Sequence, residues 1–326
     1  MDPRPASRRI CILGSGPAGL SCALWAHNLG LDPKLIELNA QSGGAMQVNF
    51  LTNEWVLGHR GMTGQQLAAN FVAHVEALGI PILYDSRPTN MERLSDGNLQ
   101  ITLDTPHGIS GFDAGAVVIA TGTRFRARET LLSVPGFAQC DQGRMRFGPH
   151  CFTHIETLAG QRLLIIGGGD NAFENATLAH AAGAHVTVVA RSVFHAQERF
   201  MTGMRTAGAK LHEHARLANL RPAPSGLLTT LETPQGNIEV EVDRLHLLAG
   251  YQPNTEFLSA VFGASIPPLQ RDTEGYLQVD AQCRCSQPGF YAAGDVCNRL
   301  FPSVVSAISQ GAQAARQIEL DYSAPY

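Results

Sequence analysis

The chain has 326 residues, of which 44% are hydrophobic and 16% charged, and a formal charge of −4. That length suits two globular domains, and the acidic balance argues against nucleic acid or an anionic membrane as a partner. After the positive start MDPRPASRR, the run ICILG is too short for a signal core, and no apolar stretch nears the roughly 18 residues of a membrane span. Seven cysteines (Cys11, Cys22, Cys140, Cys151, Cys283, Cys285, Cys297) are an odd number in a chain that needs no staples. Reduced thiols in a cytoplasm are expected.

Short apolar runs alternate with helical-period segments, which predicts an α/β fold with parallel sheets covered by helices. Residues 9–13 form a strand running into GSGPAG, 17–29 a helix, and 34–38 the next strand, ending in Glu37 and Leu38. In 64–79, Leu67, Phe71, Val75 and Leu78 share one face at helical spacing. Strand-like 82–85, a ribbon of NLQITLD and GISGFD, and the buried strand 116–120 follow. A second βαβ unit then begins afresh with RLLII at 162–166, GGG, a helix over 171–182 and HVTVV at 185–189. Its own ribbon (LLTTLET, NIEVEV) and the strand 245–250 close it, and from Gly250 the chain returns to the first domain. The expected domains are 1–121 with 249–326, and 122–248, hinged near Thr121–Arg124 and Leu248–Pro253.

Gly14-Ser15-Gly16-Pro17-Ala18-Gly19 is a GxGxxG between a strand and a helix. Gly14 permits the turn, Gly16 lets main-chain amides approach a pyrophosphate, and Gly19 lets helix and strand pack closely. Glu37, 18 positions after Gly19, stands where a carboxylate accepts from a ribose diol. Near the other end, GFYAAGDV at 289–296 places Gly294-Asp295 after a strand. Alone, Gly-Asp is a common turn; paired with the upstream loop and the Ala120-Thr121-Gly122 turn, it points to a carboxylate on the ribityl hydroxyls of FAD, which NAD lacks. Pro302-Ser303 opens a helix, from Val304 on, whose N-terminal amides favour negative charge on the flavin's pyrimidine side. In the middle, Gly167, Gly169 and Ala172 occupy GxGxxA positions, with Asp170 and Asn171 between them. No acidic residue follows the strand 185–189, whereas Arg191 could pair a 2′-phosphate and His195 lies nearby. NADPH is therefore the expected nucleotide; a central unit that has lost its ligand is the rival.

These segments, with Gly43-Gly44, TNEWVLG at 52–58, MTGQQL at 62–67, GGGDNAFENA at 167–176 and GYQPNT at 250–255, resemble in order the thioredoxin reductase-like flavoproteins, which include ferredoxin/flavodoxin–NADP reductases. The resemblance implies two Rossmann-like three-layer domains, the NAD(P) domain inserted into the FAD domain, and a homodimer. It also implies that Gly43, Gly44 and Asn53 lie along the flavin. TNEWVLG is one residue longer than the family's Asn-Trp-Pro-Gly stretch, so Glu54 is the alternative to Asn53.

The redox dithiol departs most. Where a thioredoxin reductase carries CxxC, this chain has Cys151-Phe152-Thr153-His154, and no internal disulfide can form there. Cys283-x-Cys285 would close a strained ring, and no metal-ligand spacing stands out. The expected function is an FAD-dependent NAD(P)H oxidoreductase without a thiol relay, with Cys151 and His154 near the flavin as candidate catalytic groups. Its electron partner would be ferredoxin, flavodoxin or a small molecule. The alternatives are a nicotinamide-independent flavoprotein and a reductase of small disulfides using Cys151 alone.

Overall fold

The computed structural model describes residues 8–149 and 155–323. β1 (Arg9–Leu13) leads into α1 (Pro17–Asn28) and back to β2 (Asp32–Ile36), which pairs with β1 in parallel from Arg9↔Asp32 to Leu13↔Ile36. The strand expected over 34–38 stops at Ile36 because its partner stops at Leu13, and Leu38 is left exposed. The short antiparallel pair β3 (Thr52–Asn53) and β4 (Met62–Thr63) precedes α2 (Gly64–Glu76). α2 starts on a capping box: Gln66 N donates to the Thr63 hydroxyl at 3.2 Å and Thr63 N donates to Gln66 Oε1 at 2.8 Å. Such a cap is worth about 1 kcal/mol. Leu67 and Val75 of its apolar face are buried, and Phe71 and Leu78 pack against the same cores.

After β5 (Ile82–Leu83), an antiparallel sheet of three strands forms from β6 (Arg87–Arg93), β7 (Leu99–Thr105) and β8 (Gly108–Ala114), followed by β9 (Ala116–Ile119). The expected ribbon had only the last two. β6 escaped because it is a polar edge strand containing Pro88, with Met91 alone fully buried. β10 (Thr123–Phe125) leads out of this unit.

The second unit runs through β11 (Met145–Phe147), β12 (Arg162–Ile166), α3 (Asp170–Ala181), β13 (His185–Val189), α4 (Glu198–Thr206) and β14 (Lys210–His212). Its antiparallel sheet is β15 (Arg216–Ala223), β16 (Gly226–Thr233) and β17 (Gly236–Val242), and β18 (Arg244–Leu247) inserts between β11 and β12 in the parallel order β11-β18-β12-β13-β14. Alternation along these strands splits the core in two. Leu163, Ile165, Val186 and Val188 face Phe173 and Met204 of the helices. Leu164, Val189, Leu245 and Leu247 face Leu220, Leu227, Leu231 and Val242 of the antiparallel sheet.

The chain returns through β19 (Tyr251–Pro253), paired with β10, then α5 (Leu258–Val261), β20 (Phe290–Ala292) and α6 (Val304–Ser323). The first parallel sheet is thereby completed in the order β20-β9-β1-β2-β5. Ile10, Ile12 and Val118 face α1 and α6, while Cys11, Leu13, Val117 and Ile119 face Leu99, Ile101 and Leu103 of the antiparallel sheet. Both units are therefore three-layer, Rossmann-like α/β structures. One compact unit takes the described residues through Arg124 and those from Gln252 onward; the other is Phe125–Tyr251. Each crossing lies three residues after the expected boundary, at 124 against 121 and at 252 against 249. Among the described residues no helix is long and apolar enough to cross a membrane.

Candidate functional site

In the first unit the glycine loop sits at the C-terminal end of β1. Gly16 caps α1 without any side-chain bond and Pro17 opens the helix, so the first amides of the helix face outward for an anion. A Cβ at Gly14 would stand 2.5 Å from the Ala120 carbonyl oxygen, and one at Gly19 would overlap the Gly14 carbonyl. Both positions are closed to any larger residue.

Segments far apart in the chain meet at this loop. Gly14 faces Ala120 and Thr121, Gly16 faces Gly44, and a Cβ on Gly294 would stand 2.8 Å from that of Ala18. Gly43 N donates to the Ser15 carbonyl at 2.8 Å. Thr121 and Gly122 are held by Asn254: its Nδ2 donates to Thr121 O at 2.8 Å, its N donates to Gly122 O at 3.0 Å, and the Thr121 hydroxyl donates to Asn254 O at 2.8 Å. Glu37 is buried and accepts four bonds, from Ser15 N, Ser15 Oγ, Asn39 N and Asn39 Nδ2.

Asp295 follows Gly294, whose N donates to Gln310 Oε1 at 2.9 Å. Asp295 Oδ1 is buried with no hydrogen-bond partner, and burial raises the carboxyl from its ordinary value to about 6. A buried acceptor left bare is costly, and a hydroxyl-rich ligand would satisfy it. Ser303 caps α6, its hydroxyl accepting from Ser306 N at 3.1 Å, and Val304 packs on Met46, Leu67 and Ala68. The glycine cradle, Glu37 and the orphaned Asp295 oxygen fit FAD. Asn53 Oδ1 accepts from Trp55 N at 2.8 Å and Val56 N at 3.2 Å, closing its own loop, and Glu54 pairs with Arg60. Leu38 is exposed beside Glu37.

In the second unit Gly169 caps α3, again with no side-chain bond. A Cβ at Gly167 would meet the Leu248 carbonyl at 2.6 Å, and Ala172 is buried beneath the loop. This cradle fits a dinucleotide pyrophosphate. Asp170 and Asn171 are structural ties, since the Asp170 carboxylate accepts from Gln197 N and Nε2, and Asn171 Nδ2 donates to the Tyr251 hydroxyl at 2.9 Å. His195 lies over the loop: its N donates to Gly168 O at 2.9 Å and its Nε2 would stand 3.0 Å from a Cβ on Gly169. Arg191 is exposed and lines a separate cavity of about 260 Å³ with His214, Arg216 and Glu232. Arg216 is neutralised by Glu232 at 2.6 Å, and among the described residues Arg191 has no carboxylate partner.

Cys151 and His154 lie outside the described residues. The other cysteines are free and buried or half-buried. Burial pushes Cys283 up to about 11 and Cys285 to about 12, and raises Cys297 further. Three positioning residues were missed in the sequence. Asn254 and Gln310 hold the flavin-side turns, and Glu213, following β14, accepts from Phe194 N at 2.7 Å. A carboxylate thus stands at the loop after β13 although none follows that strand in sequence. Only the asparagine within GYQPNT carried any signal.

Two glycine loops, each opening a helix from a parallel sheet, define a two-unit dinucleotide-binding oxidoreductase fold. The chain belongs to the pyridine nucleotide-disulphide oxidoreductase family, whose model matches residues 8–311. It is 27% identical to a thioredoxin reductase of Streptomyces coelicolor over 323 residues, covering 96% of this chain and 93% of that protein. Among solved structures it resembles Lactococcus lactis thioredoxin reductase (TM-score 0.80, 24% identity, 96% and 98% coverage). It also resembles the bacillithiol disulfide reductase of Bacillus cereus (TM-score 0.76, 18% identity, 96% and 99% coverage). The thioredoxin reductase-like members of this family use FAD and NADPH.

Proposed function

We propose that the chain is an FAD-dependent oxidoreductase that moves electrons between NADPH and a ferredoxin, a flavodoxin or a small acceptor without a redox dithiol. The observation that carries this reading is Cys151-Phe152-Thr153-His154, which leaves one thiol where a relay needs two. The thiols of Cys283, Cys285 and Cys297 are no substitute, because burial keeps them protonated and only a thiolate exchanges. Bound FAD and NADPH supply the hydride-transfer chemistry. The unit formed by the two chain ends holds FAD through Gly14–Gly19, Gly43, Gly44, Glu37, Thr121, Gly122, Asp295 and the N-terminus of α6. The inserted unit holds NADPH through Gly167, Gly169 and Arg191, with His195 beside the phosphates. This reading gives His154 the role of holding a proton for the flavin, which suits an imidazole near neutrality. The protein acts as a cytoplasmic homodimer.

A second reading, favoured by membership of a disulphide oxidoreductase family, makes Cys151 a lone nucleophile on small disulfides. Anaerobic titration with NADPH, followed by turnover with a one-electron acceptor and with a small aromatic disulfide, separates them. On the first reading Cys151→Ser keeps flavin reduction and one-electron turnover within a few-fold, and thioredoxin is not reduced. Loss of disulfide turnover alone in Cys151→Ser would establish the second. Flavin that NADPH does not bleach would overturn both.

A further inference from the structure

A cavity of about 560 Å³ opens in the first unit at the N-terminal ends of β9 and β20, where Gly115 and Phe290 line it. The strands are parallel, so this is the end of the sheet opposite the glycine loop, and no group invoked for FAD reaches it. Arg93, Arg284, Pro288, Tyr291, Asp321 and Tyr322 contribute to its walls.

The ion pairs there leave one cation over. Arg284 donates to both oxygens of Asp321, at 2.9 and 2.5 Å, and the Tyr291 hydroxyl donates to the same carboxylate at 2.6 Å. Asp96 at the rim accepts from Asn98 N and Nδ2. Arg93 is left over: its guanidinium is fixed by main-chain carbonyls, Gly97 O at 3.3 Å and Pro288 O at 2.5 Å, and among the described residues no carboxylate answers it. The Tyr322 hydroxyl is buried with no hydrogen-bond partner. A half-buried cation and an unused phenol donor thus share one cavity with proline and aromatic walls, and both call for an acceptor.

We propose that this cavity binds a small organic carboxylate with an apolar body, held by the Arg93 guanidinium and the Tyr322 hydroxyl. Arg93 and Arg284 are matched in number by Asp96 and Asp321, so the lining carries no surplus charge for a dianion. The one guanidinium held only by main-chain carbonyls suits a single carboxylate. A dianion such as phosphate would need a second free cation, and Arg284 is already spent on Asp321.

Benzoate titrated calorimetrically into the flavin-loaded protein tests this, with inorganic phosphate as the comparison. Saturable binding of one benzoate is expected, unaffected by NADPH, weakened about tenfold or more by Arg93→Gln and several-fold by Tyr322→Phe. Arg93→Lys should recover part of the loss, phosphate should bind at least about tenfold more weakly, and reduction of the flavin by NADPH should be unchanged in every variant. Absence of saturable benzoate binding, wild-type affinity in Arg93→Gln, or tighter binding of phosphate would each overturn the proposal. If Arg93→Gln does not fold, Tyr322→Phe decides alone, and wild-type affinity in that variant also overturns it.

Discussion

The Ser15 hydroxyl donates to Glu37 Oε2 at 2.6 Å, and the Ser15 amide donates to the same oxygen at 3.0 Å. With Asn39 N and Nδ2 on Oε1, the carboxylate has filled about four acceptor positions, all that it owns. Two of the donors are main-chain amides and stay. The other two are side chains that can rotate away, so a ribose diol takes their places rather than adding to them. Ser15→Ala should therefore cost the flavin-free protein about 1 kcal/mol yet leave FAD affinity equal or higher. Glu37→Gln should lose FAD affinity by roughly tenfold or more. Fluorescence titration with FAD checks both, and a Ser15→Ala protein that loses flavin as badly as Glu37→Gln would refute the exchange.

Asp295 gives the flavin site a pH dependence. Its carboxyl is raised to about 6 by burial, so in the flavin-free protein the folded state binds the proton more tightly than the unfolded chain. Stability without flavin should fall as pH rises from about 4 to about 6, by on the order of 2–3 kcal/mol. Ribityl hydroxyls donating to Asp295 favour the ionised form, so FAD affinity runs the other way. It should weaken as pH drops below about 6 and level off above. Denaturant unfolding and FAD titration across this range, each against Asp295→Asn, read the two slopes, and Asp295→Asn should flatten both. Parallel slopes in wild type and variant would remove Asp295 as their cause.

Gly311 in α6 lies against α1, where a Cβ would overlap the Ala18 carbonyl oxygen and stand 3.0 Å from Cys22 N. Gly311→Ala must push apart the two helices behind the glycine loop, at about 3 kcal/mol, and should loosen flavin as well. Gly203 in α4 has open space where its Cβ would be, so Gly203→Ala should instead stabilise by about 0.5–1 kcal/mol. Thermal unfolding of the two variants should move in opposite directions.

In the proposed reading Arg191 pairs the 2′-phosphate, and His195 sits at the glycine loop. Arg191→Ala should narrow a preference for NADPH over NADH by roughly tenfold, the size of a charge-assisted contact. His195→Ala should weaken both nucleotides alike. Stopped-flow reduction of the flavin measures each, and an unchanged preference in Arg191→Ala would remove Arg191 as the partner of the 2′-phosphate.

The parts of this molecule legible in the sequence are those whose chemistry is local. Gly14 and Gly19 are readable because a turn and a close approach admit nothing larger, and Asp295 because it follows a buried strand directly. Glu37 was placed at the end of its strand, and the structure puts it one residue beyond, where the chain turns. The illegible parts depend on neighbours far along the chain. Asn254 reaches Thr121 from 133 positions away, and Glu213 arrives at the 190–195 loop only because β14 pairs with β13. β6 and β15 face solvent on one side and carry Pro88 and Pro222, so their polar composition hid them. Asp170 and Asn171, read from the motif as ligands, also make ties that the motif does not show, to Gln197 and to the Tyr251 hydroxyl.

The inserted unit is one uninterrupted stretch of chain, whereas the other is split around it. On a ribosome the segment Phe125–Tyr251 is finished while the enclosing unit still lacks β20 and α6. Strand β9, buried in the mature sheet, must wait with one edge unpaired through the whole translation of the insert. Capture of flavin through Asp295 must wait until the whole insert has been made, because the insert precedes Asp295 in the chain. A nascent chain stalled before it would present a finished nicotinamide-type unit attached to an open, aggregation-prone sheet.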